Sequence, residues 1–287
     1  MTTIAATANR CLRIAECLDP ISAYRETSLQ GMRIGAHVRN DTHPLETAER
    51  LGIDVMQMFV SDPQSWKKPD PHPQQGAIRE SPIDVVVHSA YVINVASLNN
   101  RLRMPSRKAV EQQAAAAADL GAFGLVVHGG HLRAGEDLAA GIDNWRKLFT
   151  RQEDKGGFAV PILIENTAGG EGAIARQLET IARLWDAVGD QGAGFCLDTC
   201  HAWAGGEDLM GIVERVLAIT GRIDLVHLNN SRDEFDSARD RHANLEDGTI
   251  DPDLLVDVAQ AAGAPIILET PAEGLASDVA YLADALA

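Results

Sequence analysis

Residues 194–203 read GFCLDTCHAW, a short apolar run that ends at Asp198 and is followed three residues later by His201. Runs of this kind recur along the chain, and each has the composition of a buried strand. Eight of them end at His37, Phe59, His88, His128, Glu165, Asp198, His227 and Glu269. The intervals of about 20 to 40 residues between these ends fit one strand, one helix and two loops.

The segments between the runs carry the end signals of helices. One is predicted to begin at Ser106 after Pro105 and to stop at Gly121, and another opens with Asp251-Pro252 and closes at Gly263. Apolar strands that alternate with helices are typical of a parallel sheet covered by helices. The sequence therefore predicts an α/β fold, a (β/α)8 TIM barrel. A doubly wound open sheet is the alternative, although it usually needs fewer strands.

Composition limits the classes of function. A net charge of −16 excludes binding of nucleic acid through a general positive potential, although local contacts to phosphate remain open. The apolar runs fall far short of the roughly 20 residues of a membrane helix, and the N-terminus lacks the apolar core of a secretory signal. Four cysteines without framework spacing fit a reducing compartment. We expect a soluble, cytoplasmic protein without a membrane partner.

No repeat or linker divides residues 32–287, which we expect to form the barrel as one domain. Residues 1–31 precede the first strand, and Met32 is itself a candidate start. We expect residues 1–31 to be a flexible N-terminal extension.

Histidines and carboxylates end seven of the eight runs, and six of these, all except His37, are candidate metal ligands. The C-terminal ends of barrel strands gather at one face. Three further candidates lie just beyond two of the strands. The nine residues are His88, His128, Glu165, Asp198, His201, His227, Asp240, His242 and Glu269. Without cations, so many buried ionisable groups would cost several kcal/mol per ion. Nine ligands are too many for one tetrahedral zinc, so the sequence predicts two or three metal ions at this face.

The two cysteines of GFCLDTCHAW compete with Asp198 and His201 for a chemical role. An extended chain would separate the α-carbons of Cys196 and Cys200 by roughly 13 Å, beyond the reach of a disulfide, although a turn could shorten this. Their spacing is also not that of a redox pair. We interpret both cysteines as small buried apolar residues.

The loop after the second strand, PQSWKKPDPHP at residues 63–73, pairs an aromatic residue with two lysines. Trp66 can pack on the barrel rim. Alternatively, Trp66, Lys67 and Lys68 can contact a nucleic-acid backbone, which pairs aromatic and basic groups in this way. The residues alone leave both interpretations open.

Taken together, these stretches resemble the endonuclease IV family of abasic-site DNA repair nucleases. The resemblance extends from about Met32 to Glu269, and its ordered motifs at strand ends are far more specific together than any one alone. The longest are HSAYVINVAS (88–97), VVHGGHL (126–132), IENTAGG (164–170), CLDTCHAWAGG (196–206), VHLNNSRDE (226–234), DRHANL (240–245) and ILET (267–270).

The resemblance implies three bound zinc ions, with Mn2+ or Fe2+ as alternatives at some positions. The nine ligands then divide into His88 and His128 with Glu165 as a bridge; Glu165, Asp198, His227 and Glu269; and His201, Asp240 and His242. Asp198 and His201 would therefore serve different ions.

The resemblance also implies a function, namely hydrolysis of the phosphodiester 5′ to abasic sites in double-stranded DNA and removal of blocks from 3′ ends. Glu165 and Glu269 are the implied catalytic residues, and Gln64, Trp66 and Tyr91 the implied DNA-binding residues. A monomer is expected.

Five features depart from the family pattern. Two of them alter loops: His128-Gly129-Gly130-His131 is one residue shorter than the usual motif, and Glu246-Asp247-Gly248 replaces a loop that is usually richer in glycine. The other three are single residues. Gln64 stands where better-known members carry an arginine that wedges into the duplex, Asn230 replaces an aspartate, and Ala243 replaces a frequent histidine. None of them removes a ligand, so they concern DNA contacts and rate more than metal binding.

Two other functions remain open from the sequence. A single-metal sugar isomerase or epimerase would need only Glu165, Asp198, His227 and Glu269, and would leave the other five candidates without a role. A DNA-damage binding protein without turnover would fit the altered loops.

Overall fold

The computed structural model describes residues 32–39, 43–170 and 172–287. Within these ranges, eight parallel strands form a closed barrel, which confirms the predicted (β/α)8 TIM fold. Its strands are β1 (Ile34–His37), β2 (Val55–Phe59), β3 (Asp84–His88), β4 (Leu125–His128), β5 (Ile162–Glu165), β6 (Gly194–Asp198), β7 (Leu225–His227) and β10 (Ile266–Leu268). The predicted extension, residues 1–31, lies outside the described residues.

Strand register brings the ends of neighbouring strands to the same level. Each barrel strand is hydrogen-bonded to the barrel strands that precede and follow it in sequence, so β7 pairs with β10, and β1 closes the barrel against β10. His128 is the register partner of Glu165, and Asp198 that of His227. Because side chains in register on parallel strands point to the same side of the sheet, these groups converge at one rim of the barrel.

Helices surround the barrel. They are α1 (Pro44–Leu51), α2 (Gln75–Glu80), α3 (Asn100–Asp119), α4 (Leu138–Glu153), α5 (Leu178–Val188), α6 (Thr199–Gly205), α7 (Ile212–Thr220), α8 (Pro252–Ala262) and α9 (Leu275–Ala285). The predicted ends of α8 are confirmed, since Asp251 accepts from the Asp253 amide and Gly263 ends the helix at φ 56°. In the described ranges, no helix combines the length and the apolar character needed to cross a membrane.

The predicted start of α3 at Ser106 is wrong. The helix begins at Asn100, where the Asn99 side chain accepts from the Arg101 amide at 3.0 Å. Pro105 lies inside the helix and, lacking an N–H, leaves one intrahelical bond unmade. Ser106 does not cap the helix, since its hydroxyl donates to the Leu102 carbonyl one turn earlier at 2.8 Å. A proline near the first turns of a helix therefore does not mark its boundary here.

A small hairpin extends the rim beyond β7. Its strands, β8 (Asn230–Ser231) and β9 (His242–Ala243), pair antiparallel. Asp233 anchors the connecting loop because it accepts from the Arg241 Nε at 2.7 Å, and the Ala238 amide donates to the Ala204 carbonyl of α6 at 2.8 Å. The hairpin thereby carries Asp240 and His242 towards α6, where His201 lies.

Candidate metal centre

The structure brings all nine candidate ligands together at the C-terminal rim of the barrel. They form three groups in which one ligand atom per residue lies within 4.8 Å of every other. The groups are His88, His128 and Glu165; Glu165, Asp198, His227 and Glu269; and His201, Asp240 and His242. These are the same three sets that the family resemblance implied for three ions.

Glu165 links the first two groups through its two carboxylate oxygens. Oε2 lies 3.2 Å from His88 Nε2 and 3.1 Å from His128 Nε2. Oε1 lies 2.9 Å from His227 Nδ1. The side chain is fully buried at the end of β5, so its position is set by the barrel. A carboxylate in this arrangement can bridge two cations.

Backbone carbonyls select which nitrogen of His88 and of His201 faces the centre. His88 Nδ1 donates to the Ser89 carbonyl at 2.8 Å, and His201 Nδ1 donates to the Asn166 carbonyl at 2.9 Å. A carbonyl oxygen can only accept, so the proton sits on Nδ1 and the Nε2 lone pair is free to bind a metal. The Nε2 atom of His201 accordingly lies 3.1 Å from Asp240 Oδ2.

Asp198 is shared between the local helix and the metal centre. Its Oδ1 accepts from the His201 amide at 2.6 Å and caps α6. Its Oδ2 accepts from Asn229 Nδ2 at 2.8 Å and lies 3.9 Å from His227 Nδ1. The cap fixes the rotamer of the carboxylate, so one oxygen remains directed at the second group.

The two cysteines of the opening motif are both free and buried, as the sequence predicted. Burial raises the pKa of each thiol from 9.0 to about 12. The Cys200 sulfur nevertheless lies within 4.8 Å of ligand atoms of Asp198 and His242, a proximity that spacing alone did not predict.

Opposing electrostatic effects act on the buried carboxylates. Burial alone would raise the pKa of Glu165, but the charges of His128 and His227 outweigh it and hold that pKa well below its ordinary value. For Asp198 burial prevails, and its pKa is raised despite His201 and His242. Acidic and basic groups that perturb one another this strongly are characteristic of functional sites.

His242 supplies the most direct indication that the third group fits a cation. Its Nε2 is buried and has no hydrogen-bond partner in the described part of the chain. The atom lies 3.2 Å from Asp240 Oδ1 and 3.8 Å from Asp198 Oδ2. Its Nδ1 donates to the Glu269 carbonyl at 3.2 Å, so Nε2 is the nitrogen left to bind a cation. An ion among these acceptors would satisfy the orphaned nitrogen.

A cavity of about 360 Å³ opens onto the three groups. Gln64 and Tyr91 line it together with six of the candidate ligands. The Tyr91 ring stacks on His128 at a centroid distance of 5.9 Å, and 49% of the residue is exposed. Trp66 lies outside this cavity and instead lines a neighbouring groove with Lys68, Met104 and Lys108.

Comparisons with known proteins identify the family of the chain. The profile described as Xylose isomerase-like TIM barrel matches residues 45–286. A protein of Mycobacterium bovis (strain BCG / Pasteur 1173P2) named "Probable endonuclease 4" is 54% identical over 251 residues, which are 88% of this chain and 98% of that protein. The chain belongs to the endonuclease IV family. A Mycobacterium marinum protein of the same name is 51% identical, over 89% of this chain and 99% of that protein.

Solved structures agree with this family. Endonuclease IV from Thermus thermophilus superposes with a TM-score of 0.76 at 28% identity, covering 88% of this chain and 98% of that chain. A D-tagatose 3-epimerase-like protein superposes with a TM-score of 0.73 at 18% identity, covering 89% of this chain and 97% of that one. The second likeness shows the shared barrel fold alone.

The Asn230 departure from the endonuclease IV pattern has a structural explanation. Its buried side chain donates to the carbonyls of Leu245 and Ile250, at 2.6 and 2.8 Å, and accepts from the amides of Ser231 and Ile250. A Cβ at Gly248 would come within 2.1 Å of Asn230 Oδ1, so glycine is required there. An aspartate could not make the two donor contacts.

Sequence reasoning missed two polar residues that hold ligands. Asn229 accepts from the Glu269 amide through Oδ1 and donates to Asp198 through Nδ2. Gln57, fully buried in β2, contacts Glu269 and His227. A glutamine within an otherwise apolar strand was the available signal, because buried amides need specific partners.

Proposed function

We propose that this chain is a DNA repair endonuclease that hydrolyses the phosphodiester 5′ to abasic sites in double-stranded DNA. The products would be a 3′ hydroxyl and a 5′ deoxyribose phosphate, and we include removal of blocked 3′ ends. The observation that carries the proposal is the set of nine histidines and carboxylates in three linked groups around one open cavity. Membership of the endonuclease IV family supports the same reaction.

Three zinc ions fit the three groups, with Mn2+ or Fe2+ as alternatives at some positions. The donors are imidazole nitrogens and carboxylate oxygens, which are the ordinary ligands of zinc in hydrolytic sites. Divalent ions bound here supply Lewis-acid stabilisation of phosphate oxygens and acidify water, the two requirements of hydrolysis at neutral pH. Three such ions also outweigh the charge of the four ligand carboxylates, so an acidic protein can hold a phosphate locally.

The chain's own residues orient the reacting groups. Glu165 ties the first two groups together through both of its oxygens, and Glu269 extends the second group at the end of β10. We assign both as catalytic residues because Glu269 lines the cavity where the phosphate would lie, and the buried Glu165 contacts His88 and His128, which also line it. Burial raises the pKa of Tyr91, and the charge of Glu269 raises it further, so its hydroxyl stays protonated beside the substrate.

Tyr91 and Gln64 are the proposed contacts to the damaged strand, since both line the cavity. Trp66 is 43% exposed, with Lys68 and Lys108 in the same groove, and it is suited to a flanking part of the duplex. Turning a nucleotide out of the stack costs least where no base pairs, which gives a source of damage selectivity. We further propose that the protein acts as a monomer on DNA in the cytoplasm.

The alternatives fit the site less well. A single-metal sugar isomerase or epimerase would use the second group alone and leave His88, His128, His201, Asp240 and His242 without a function. A non-catalytic DNA-damage binding protein would have no need for linked metal groups around an open cavity.

Product analysis tests the proposed reaction. A labelled duplex with one tetrahydrofuran abasic analogue is incubated with zinc-loaded protein, beside the same duplex without damage. The expected product is a single cut on the 5′ side of the analogue, and its 3′ end is extended by a DNA polymerase without further treatment. Equal cutting of both duplexes, or a 3′ end that cannot be extended, contradicts the proposal.

A further inference from the structure

One buried glutamine contacts the metal centre without belonging to any of the three groups. Gln57 lies in the middle of β2, and none of its surface is exposed. It is the register partner of His37 on β1, so both side chains face the same side of the barrel wall. An amide in this position must find its hydrogen bonds among its neighbours, because water cannot reach it.

The contacts of Gln57 determine how its amide is oriented. Its Nε2 lies 2.6 Å from Glu269 Oε1 and 3.1 Å from His37 Nδ1. A carboxylate oxygen can only accept, so the amide nitrogen must face Glu269. The amide oxygen then faces His227, whose Nε2 lies 2.8 Å away.

This orientation has a consequence for His227. Because the Gln57 oxygen accepts, His227 Nε2 must carry a proton, and Nδ1 is the nitrogen that faces the carboxylates and would bind a metal once it has released its own proton. That Nδ1 lies 2.9 Å from Glu165 Oε1 and 3.3 Å from Glu269 Oε2. His88, His201 and His242 have a backbone carbonyl in the same role. His227 depends on a side chain instead, so its tautomer can be altered by substitution.

The same amide also gives the two carboxylate oxygens of Glu269 different partners. Oε1 is held by Gln57, whereas Oε2 faces His227 Nδ1 and lies 3.5 Å from Asn229 Nδ2. One glutamine therefore leaves one atom available for a metal on each of two neighbouring ligands, Nδ1 of His227 and Oε2 of Glu269.

We propose that Gln57 is a positioning residue that fixes His227 as an Nδ1 ligand and Glu269 as an Oε2 ligand of the second metal group. The proposal rests on the metal binding assigned under the proposed function, and it adds a determinant of affinity at one of the three groups. His37 closes the hydrogen-bonded chain by accepting the second amide proton.

The test uses two substitutions at Gln57 and one control in the full chain. Gln57→Leu removes every polar contact at similar volume, whereas Gln57→Glu keeps an acceptor for His227 but places a carboxylate against Glu269. Gln152→Leu is the control, because Gln152 is a similarly buried glutamine on α4 outside the groups. Zinc release into a chromogenic chelator is followed over time, and the protonation of the histidine nitrogens is determined by 15N NMR of the zinc-loaded proteins.

We expect both Gln57 variants to lose one zinc ion about 10- to 100-fold faster than the wild type, which is the size of effect typical when a hydrogen-bond partner of a metal ligand is removed. Gln152→Leu should release zinc at the wild-type rate. The Nε2–H signal of His227 should persist in Gln57→Glu and be lost or shifted in Gln57→Leu. Wild-type release rates in both Gln57 variants would overturn the proposal, as would an unchanged His227 signal in folded Gln57→Leu. Because these readouts need no DNA, a wild-type protein that binds zinc but does not cut would refute the proposed function and leave this inference intact.

Discussion

Asp198 and His201 are three residues apart and hydrogen-bonded, since the His201 amide donates to Asp198 Oδ1 at 2.6 Å, yet their ligand atoms face different groups. The other Asp198 oxygen lies 3.9 Å from His227 Nδ1 in the second group and 3.8 Å from His242 Nε2 in the third, whereas His201 Nε2 lies 3.1 Å from Asp240 within the third group. The first turn of α6 therefore sets the spacing between the second and third groups. A helix cap therefore sets a distance within the candidate metal centre.

Substitution of Glu269 should separate catalysis from DNA binding. Glu269→Gln removes the charge of a second-group ligand, so we expect single-turnover incision to fall roughly 100-fold or more, since metal-linked stabilisation contributes several kcal/mol. The Kd for an abasic duplex should change by no more than about threefold, because most binding energy comes from contacts along the backbone. Glu273→Gln, an exposed site in the adjacent loop, is the charge-matched control. Equal losses of cutting and binding would argue against the assigned role.

Restoring the family aspartate at Asn230 should destabilise this chain. Asn230→Asp loses the donors to Leu245 and Ile250 and buries a charge, so we expect the free energy of unfolding to fall by about 2 kcal/mol or more. Urea denaturation measures the change. Asn100→Asp has the same charge change at an exposed position and should behave as the wild type. An Asn230→Asp protein as stable as the wild type would show that the loop adapts.

Tyr91 should contribute to recognition of the damaged strand through its ring. Tyr91→Ala is expected to weaken binding of an abasic duplex by about 1 kcal/mol or more, at least roughly fivefold in Kd, whereas Tyr91→Phe keeps the ring and should change it little. Fluorescence anisotropy at fixed salt measures both. Met210→Ala, a highly exposed apolar residue away from the cavity, serves as control. If Tyr91→Ala and Met210→Ala bind alike, Tyr91 does not contact the substrate.

The thiols of Cys196 and Cys200 should stay unreactive in the folded protein. Burial raises their pKa values from 9.0 to about 12, so both remain protonated at pH 8 and form thiolate only as the pH approaches 12. In a Cys11→Ser, Cys17→Ser background, we expect maleimide labelling at pH 8 only after unfolding in urea. Rapid labelling without denaturant would contradict this electrostatic account.

The sequence predicted the barrel and the convergence of the nine candidate ligands, because strand ends mark one face of this fold, and His88, His128 and Glu165 end their strands in succession. The sequence did not predict the residues whose structural role depends on which groups their side chains contact. Pro105 does not bound its helix, and Gln57 and Asn229 were overlooked because amide partners depend on three-dimensional contacts. The β8–β9 hairpin is too short to leave a strand pattern, although its loop carries Asp240.

Incision by the proposed nuclease should depend on how many metal ions are bound to each chain. Protein stripped by a strong chelator is compared with the same protein reloaded with zinc, with metal content measured on each sample used for cutting. We expect no incision of the abasic duplex by stripped protein, and recovery of a cut 5′ to the abasic site as occupancy approaches three ions per chain. Full occupancy without incision, or full activity at about one ion per chain, would contradict it.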